Sequence, residues 1–148
     1  MNFVEIHRYL RSLPDVDYPG PASGAAITAA EDELRIVFPP DYKLFLNHFG
    51  TLSVSSEEIF GIGGPDYLDV IARTNDLRTS KQKLFPLPLL PLRNDGFGNY
   101  DCIQLRSGSF YIVQWNHEDG STIDVSDGFE KWLFQILDML LLAEGTKP

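Results

Sequence analysis

Hydrophobic positions in the middle of the chain fall into three short runs that predict β-strands. The runs lie at 87–93, 100–105 and 110–115 and are rich in β-branched, aromatic and aliphatic residues. Clusters of Gly, Asn, Asp and Ser separate them, which is the usual composition of tight turns. Strands with connections this short pair as antiparallel neighbours. The pattern therefore predicts an antiparallel β-meander of four to six strands near the middle of the fold.

Apolar residues at helical spacing predict helices before and after this sheet. A short amphipathic helix is expected over residues 2–12, because its apolar positions recur every three or four residues. Prolines and glycines make the stretch 13–24 a loop. A mid-chain helix is expected to begin after Asp66 as its N-cap. The C-terminal helix is expected to begin after Ser126 or Asp127 and has the widest apolar stripe of the chain.

The stretch 28–50 predicts two helices joined by a rigid corner. Thr28 and Glu31 have the spacing of a capping box, in which each side chain bonds the other residue's backbone N–H. Phe38-Pro39-Pro40 ends the first helix, and its last proline suits the first position of the second. Gly50 is expected as the C-cap. The predicted fold class is α+β, with the meander packed by this αα-hairpin, the mid-chain helix and the C-terminal helix.

Length and charge narrow the class of protein. The 148 residues suit one domain, 1–148, with an N-terminal helix and loop over 1–24 and a core over 25–143. Twenty-one acidic residues against 12 lysines and arginines give a formal charge of −9. That charge repels phosphate backbones, so nucleic acid is not an expected partner. A basic protein partner would suit it, although acidity more commonly serves solubility alone.

Cysteine content and apolar runs bear on the compartment. Cys102 is the single cysteine, so an internal disulfide is excluded and a reducing compartment is expected. The N-terminus lacks the basic and apolar regions of a signal peptide. The longest apolar stretch, 139–143, is far shorter than a bilayer span. We therefore expect a cytoplasmic protein without membrane contact.

Residue types suited to catalysis are few and scattered. His7, His48 and His117 lack the spacing of a metal site. Cys102 with a distant histidine would make a nucleophile pair, but its strand setting favours an inert core cysteine. Carboxylates in the turns perform acid–base work only at fixed separations, which a sequence does not supply. No enzyme activity, cofactor or metal is expected.

Several segments together carry a more specific signature. They are Ile27-Thr28, Glu31, Leu34, residues 38–46 and Gly50, then 59–62 as a first strand, 89–92, 95–99, 100–105, 111–115 and a late helix over 126–133. This set resembles the SUKH superfamily, which includes yeast cell-wall assembly regulators and many bacterial immunity proteins. The resemblance implies a SUKH-like fold and a non-enzymatic immunity protein that neutralises a cognate toxin domain, such as a nuclease. The alternative it implies is a cytosolic regulatory scaffold or adaptor.

Acidic residues gather in the connections around the meander and are candidates for binding a partner. Asp and Asn in turns usually cap their own backbone, which is the plainer interpretation. The resemblance raises a second one, since a nuclease toxin carries a basic surface that an acidic inhibitor can occupy. Phe97, between two glycines, is the aromatic residue most expected to be exposed. The candidate partner-binding residues are Glu57, Glu58, Asp66, Asp69, Asp95, Phe97, Glu118 and Asp119. The sequence leaves the oligomeric state open.

Overall fold

The computed structural model describes residues 1–81 and 84–145. Its helices are α1 (Phe3–Arg11), α2 (Gly24–Leu34), α3 (Pro40–His48), α4 (Val70–Ser80) and α5 (Phe129–Gly145). Its strands are β1 (Leu52–Val54), β2 (Glu57–Ile59), β3 (Leu89–Asn94), β4 (Tyr100–Arg106), β5 (Ser109–Trp115) and β6 (Thr122–Ser126). A short 3-10 helix, Asp66–Leu68, precedes α4. The last three residues of the predicted domain, 146–148, lie outside the described residues.

The central sheet is an antiparallel meander in which β3, β4, β5 and β6 follow one another in sequence order. Cys102 lies opposite Pro91 on one side and Val113 on the other. β1 and β2 form a separate two-stranded hairpin. The hairpin joins the sheet where the Phe60 N–H donates to the Leu92 carbonyl at 2.9 Å. The predicted α+β class and its meander are confirmed, with four strands in the main sheet.

The start of the helical hairpin differs from the predicted capping box. α2 begins at Gly24, and the Ser23 hydroxyl accepts the N–H of Ala26 at 3.1 Å. Thr28 therefore lies inside the helix. Glu31 turns to the other end of α2, where its carboxylate accepts the N–H of Phe38 at 2.8 Å. Ser23, directly before the first residue of α2, supplies the N-cap bond that the sequence had assigned to Thr28.

The corner and the end of this hairpin match the sequence prediction. Pro40 is the first residue of α3, where its missing N–H has no intrahelical partner to lose. Gly50 follows the C-cap Phe49 in a left-handed conformation, with a φ of +80°. Both signals are readable in the sequence because Pro40 restricts its own φ and Gly50 adopts a positive φ at a helix end.

The predicted first strand over 59–62 is wrong. Strands occupy 52–54 and 57–59, so Glu57 and Glu58 lie within β2 and not before it. Gly61 instead packs against Gly50: a Cβ on Gly61 would lie 1.7 Å from the Gly50 carbonyl oxygen. The Gly61 N–H and carbonyl bond Leu68 and Val70. The close approach to the Gly50 backbone accounts for this glycine, which pairs with Asp69 as an isolated bridge outside the named strands.

Two predicted helix caps are also replaced. Asp69, not Asp66, caps α4, and its side chain accepts the N–H of Ile71 at 3.3 Å. At the start of α5, neither Ser126 nor Asp127 accepts a helix N–H; Asp41 of α3 does so, accepting from Glu130 at 3.0 Å. A cap delivered from another helix has no local sequence pattern, so sequence reasoning missed it.

Both faces of the sheet are covered near its centre. On one face, the Trp132 indole N–H of α5 donates to Asp101 at 2.9 Å. On the other face, the Trp115 indole N–H donates to the Leu84 carbonyl at 2.9 Å, and Phe85 packs edge-on against the Trp115 ring. Adjacent residues of a strand point to opposite faces, so β4 and β5 are buried on both sides there.

Helix α1 shares this hydrophobic core. Ile6 and Leu10 are buried in the same cluster as the side chains of α3 and α5. The Tyr9 hydroxyl donates to Asp138 of α5, and the Tyr9 ring packs against Phe134. No helix in the described part of the chain combines the length and apolar character needed to cross a bilayer.

Truncation of a corner aromatic tests the packing of the hairpin. Phe38 is 1% exposed, and we expect Phe38→Ala to lower the free energy of unfolding by about 3–5 kcal/mol, the usual range for a buried aromatic. Val37, the adjacent residue, is 60% exposed and serves as the matched control through Val37→Ala. Urea unfolding measures both variants. Equal stability of the two would contradict the placement of Phe38 in the core.

Candidate functional site

The β3–β4 turn presents an exposed aromatic side chain on a rigid backbone. Asp95 Oδ1 accepts the N–H groups of Phe97 at 2.8 Å and Asn99 at 3.1 Å. Gly96 and Gly98 flank Phe97 with φ values of +91° and +94°, a region that favours glycine. Phe97 is 81% exposed. The turn therefore holds a large apolar ring in solvent, at the position where the sequence predicted an exposed aromatic.

The β5–β6 turn is built in the same way and lies beside the first. Asn116 accepts the N–H of Glu118 at 2.8 Å, and Asp119 accepts the N–H and hydroxyl of Ser121. The hydroxyl bond, followed by the backbone bond, lowers the pKa of Asp119, so its carboxylate is ionised at neutral pH. Glu118 and Asp119 are both exposed. This turn adds two negative charges to the same end of the sheet.

Asn99 fastens the two turns to each other. Its side-chain oxygen accepts the N–H of His117 at 3.1 Å and lies 2.8 Å from His117 Nδ1. Its side-chain nitrogen donates to Asp95 at 3.1 Å. Gly98 leaves room for the imidazole, because a Cβ there would lie 3.2 Å from the His117 ring. We call the surface formed by residues 95–99 and 116–121 the turn end of the sheet.

A groove of about 480 Å³ adjoins the turn end. It separates the β1–β2 hairpin from the β3–β4 turn. Its lining residues are Ser56, Glu57, Glu58, Phe60, Tyr67, Arg73, Asn94, Asp95 and Gly96. Three of the eight candidate residues, Glu57, Glu58 and Asp95, therefore share one groove, and three more lie on the turns beside it.

Not every candidate acid is available to a partner. Glu57 is held by Arg93, whose guanidinium bonds both of its carboxylate oxygens. Asp69 is engaged as the cap of α4. Asp66 is exposed in the 3-10 helix but is absent from the groove lining. Glu58 is exposed at the groove, and its carboxylate has no hydrogen-bond or ion-pair partner among the described interactions.

Two residues of the groove were missed by sequence analysis. Tyr67 follows Asp66, where the mid-chain helix was expected to begin, but it lies in the 3-10 helix and is 58% exposed. Arg73 lines the groove from α4, with its guanidinium carbon 5.4 Å from the centre of the Phe60 ring. Arg73 also lies 3.5 Å from the Tyr100 hydroxyl. The groove is therefore not uniformly negative.

The side chains considered for catalysis have other surroundings. Cys102 is fully buried, and burial followed by the charge of Asp101 raises the pKa of its thiol well above the ordinary value. The thiol is therefore protonated at neutral pH. The His117 ring is hydrogen-bonded through Nδ1 to the side-chain oxygen of Asn99. Within residues 1–81 and 84–145, no three His, Cys, Asp or Glu side chains cluster in a way that would hold a metal ion.

Comparisons with known proteins identify the family. The family model SUKH_6, described as SMI1-KNR4 cell-wall, matches residues 25–133. The chain belongs to the SUKH family. The match extends from α2 into α5 and includes the whole sheet, the groove and the turn end.

Structural comparison agrees with this assignment at the level of fold. A crystal structure of a protein from Pseudomonas syringae pv. tomato is 19% identical in sequence and has a TM-score of 0.65. The alignment covers 93% of this chain and 98% of that one. No curated protein matched the sequence. The two chains therefore share a fold over nearly their whole length.

Loss of the Asn99 side chain should loosen the turn end of this SUKH domain. Asn99→Ala removes the acceptor of the His117 N–H and the donor to Asp95, and unmade bonds of this kind cost about 1–3 kcal/mol. We expect that loss in urea unfolding, together with faster amide exchange in residues 116–121. Asn47→Ala on the exposed side of α3 is the matched control. Unchanged exchange in residues 116–121 would contradict the bridging role of Asn99.

Proposed function

We propose that this SUKH protein is an immunity protein, which binds and neutralises a cognate bacterial toxin domain without catalysing a reaction. The observation that carries the proposal is the exposed Phe97 ring on a turn surrounded by carboxylates. Family membership supports it, since many SUKH proteins are immunity proteins. The toxin would meet this protein in the cytoplasm, a reducing environment in which the free thiol of Cys102 is expected to stay reduced.

Phe97 has the properties of an interface anchor. Aromatic residues on a protein surface carry much of the free energy of binding when a partner buries them. The ordering cost on binding is small here, because two bonds to the Asp95 side chain and one backbone bond, from the Asp95 N–H to the Asn99 carbonyl, already fix the turn. Tyr67 offers a second exposed ring on the groove side. A partner that covers both rings would span the groove and the turn end.

The acids around these rings suit a basic partner. Glu58, Asp95, Glu118 and Asp119 are negatively charged groups on the groove and the two turns. Opposite charges on two proteins steer their encounter and select among partners. A nuclease domain carries a basic surface for its substrate, so we propose a nuclease as the class of toxin. Occupation of that surface would block the substrate directly.

The adaptor function remains a second candidate. The description of the matching family model refers to the cell wall, which favours a regulatory role of the yeast type. The two candidates differ in their partners. An immunity protein binds a toxin encoded beside it, whereas an adaptor binds host proteins in cells that lack any toxin.

Growth protection distinguishes the two candidates. We expect co-expression of this chain with the toxin domain encoded in its neighbourhood to restore growth that the toxin alone abolishes. Phe97→Ala should reduce that protection, because it removes the exposed ring and leaves the Asp95 bonds in place. Leu142→Ala, at another exposed apolar residue that is 71% exposed, is the matched control. Recovery of a host signalling protein from cells without the toxin gene, and no protection, would replace the immunity proposal with the adaptor.

Charge reversal tests the steering mechanism. Glu58→Lys with Glu118→Lys should slow association with the toxin by about ten-fold or more at low salt, since steering contributes about 10–10³-fold to association rates. Neither side chain holds a turn together, so the fold should survive. Asp32→Lys with Asp76→Lys makes the same change of net charge on α2 and α4, outside the groove. Stopped-flow binding at two ionic strengths, with circular dichroism for folding, measures the rates.

Equal association rates for the two double variants would contradict a local acidic surface. A wild-type rate that is indifferent to salt would also contradict it, because screening weakens interactions between exposed charges. In either case the apolar contact at Phe97 would stand alone as the proposed interface.

A further inference from the structure

Two histidines from distant parts of the chain bond to each other between α1 and α3. His7 Nε2 lies 2.8 Å from His48 Nε2, although the two residues are 41 positions apart. The ring centres are 5.0 Å apart at an angle of 62°. His7 lies in the middle of α1 and His48 is the last residue of α3. This contact therefore ties the N-terminal helix to the helical hairpin.

The surroundings of the pair are aromatic. Phe3 stacks on the His48 ring with centroids 4.0 Å apart, and Phe49 contacts both imidazoles. Tyr18 packs against His7 at 6.3 Å. The His48 ring thus sits in an apolar setting that favours its neutral form.

Acids on the neighbouring helices bond elsewhere. Glu5 of α1 accepts from the Asn2 side chain, and Glu130 of α5 accepts from the Asn2 N–H. Asp138 of α5 accepts from Tyr9. Among the described residues, neither imidazole of the pair bonds a carboxylate. No anion in the described bonds therefore offsets the charge of a second proton on the pair.

The bond between the two rings depends on the number of protons they share. A neutral imidazole has one donor nitrogen and one acceptor nitrogen, whereas an imidazolium has two donors. A bond between two Nε2 atoms needs one donor and one acceptor. It therefore forms when the pair carries one positive charge or none. A second proton leaves two donors, and two like charges, facing each other at 2.8 Å.

We propose that His7 and His48 form a proton-sensitive latch, which holds α1 against α3 while the pair carries at most one positive charge and releases it on uptake of the second. The latch is independent of the proposed immunity function. Release would expose the apolar face of α1, including Ile6 and Leu10, and the surface of Phe49 that it covers. The contacts with α5 made by Tyr9, by the Asn2 N–H and by the Met1 ammonium would remain.

The direction of the pH effect follows from His48. Burial, followed by the charge of His7, lowers the pKa of His48 below its ordinary value. The unfolded chain therefore binds this proton at higher pH than the folded chain. The stabilising contribution is complete above the ordinary histidine pKa of about 6.5. It is lost as the pH falls from there through the lower value of the folded state.

Amide hydrogen exchange of α1 at about pH 7.5 and about pH 5 tests the latch. After correction for intrinsic exchange, we expect the opening constant of α1 in the wild type to rise about ten-fold or more relative to β4. His48→Gln should abolish most of this rise, because the amide oxygen accepts from His7 in both of its charge states. His117→Gln is the matched control, since it removes a histidine at the turn end and should leave the wild-type response intact.

Two results would overturn the proposal: α1 protection in the wild type that does not change with pH, or the same change in His48→Gln as in the wild type. Circular dichroism at about pH 7.5 establishes that the variants are folded, and His7→Gln takes the place of His48→Gln if that variant unfolds. Ring nitrogen signals of the wild-type histidines give a second measurement. Independent titration of His7 and His48, each as an ordinary histidine, would also overturn the latch.

Discussion

One partly buried arginine, Arg93, connects the hairpin, the sheet and the C-terminal helix. The Arg93 guanidinium of β3 bonds Glu57 of β2, with one N–H at 3.0 Å from Oε1, and bonds Asp101 of β4 at 3.2 Å. The Trp132 indole of α5 donates to the same Asp101 oxygen at 2.9 Å. Asp101 itself is 4% exposed. Two carboxylates thus share one cation, and four elements meet at that point.

The cluster around Arg93 contributes more to the placement of its four elements than to the free energy of folding. Burial raises the pKa of Asp101, while the Trp132 bond and Arg93 act in the opposite direction. A buried ion pair contributes little net free energy, but removal of one member costs about 3–5 kcal/mol because it strands a charge. The arrangement therefore fixes the position of β2 beside β3. Glu57 points inward to Arg93, and strand alternation sends the next residue, Glu58, outward to the groove.

Sequence analysis succeeded where a residue acts on its own backbone and failed where its partner is distant. Pro40 and Gly50 were placed correctly because each restricts the chain locally. Glu31, Gly61 and Asp41 were misread or missed because their partners lie outside their own element: Phe38 follows α2, Gly50 follows α3, and Glu130 lies in α5. The same division holds for the site. Turn composition placed Phe97 and the turn acids, but the loss of Glu57 to Arg93 and the exposure of Tyr67 depend on tertiary packing.

The N-terminal helix is separable from the groove in both sequence and contacts. α1 lies outside the matched segment 25–133, whereas that segment holds the whole sheet and every residue of the groove. The described side-chain bonds of α1 lead to α3 and α5, and none of them reaches the groove. Displacement of α1 would leave the Arg93 cluster and the Asn99 bridge intact. A surface for a partner and a pH-sensitive contact can therefore coexist in one small fold, because they rest on different bonds.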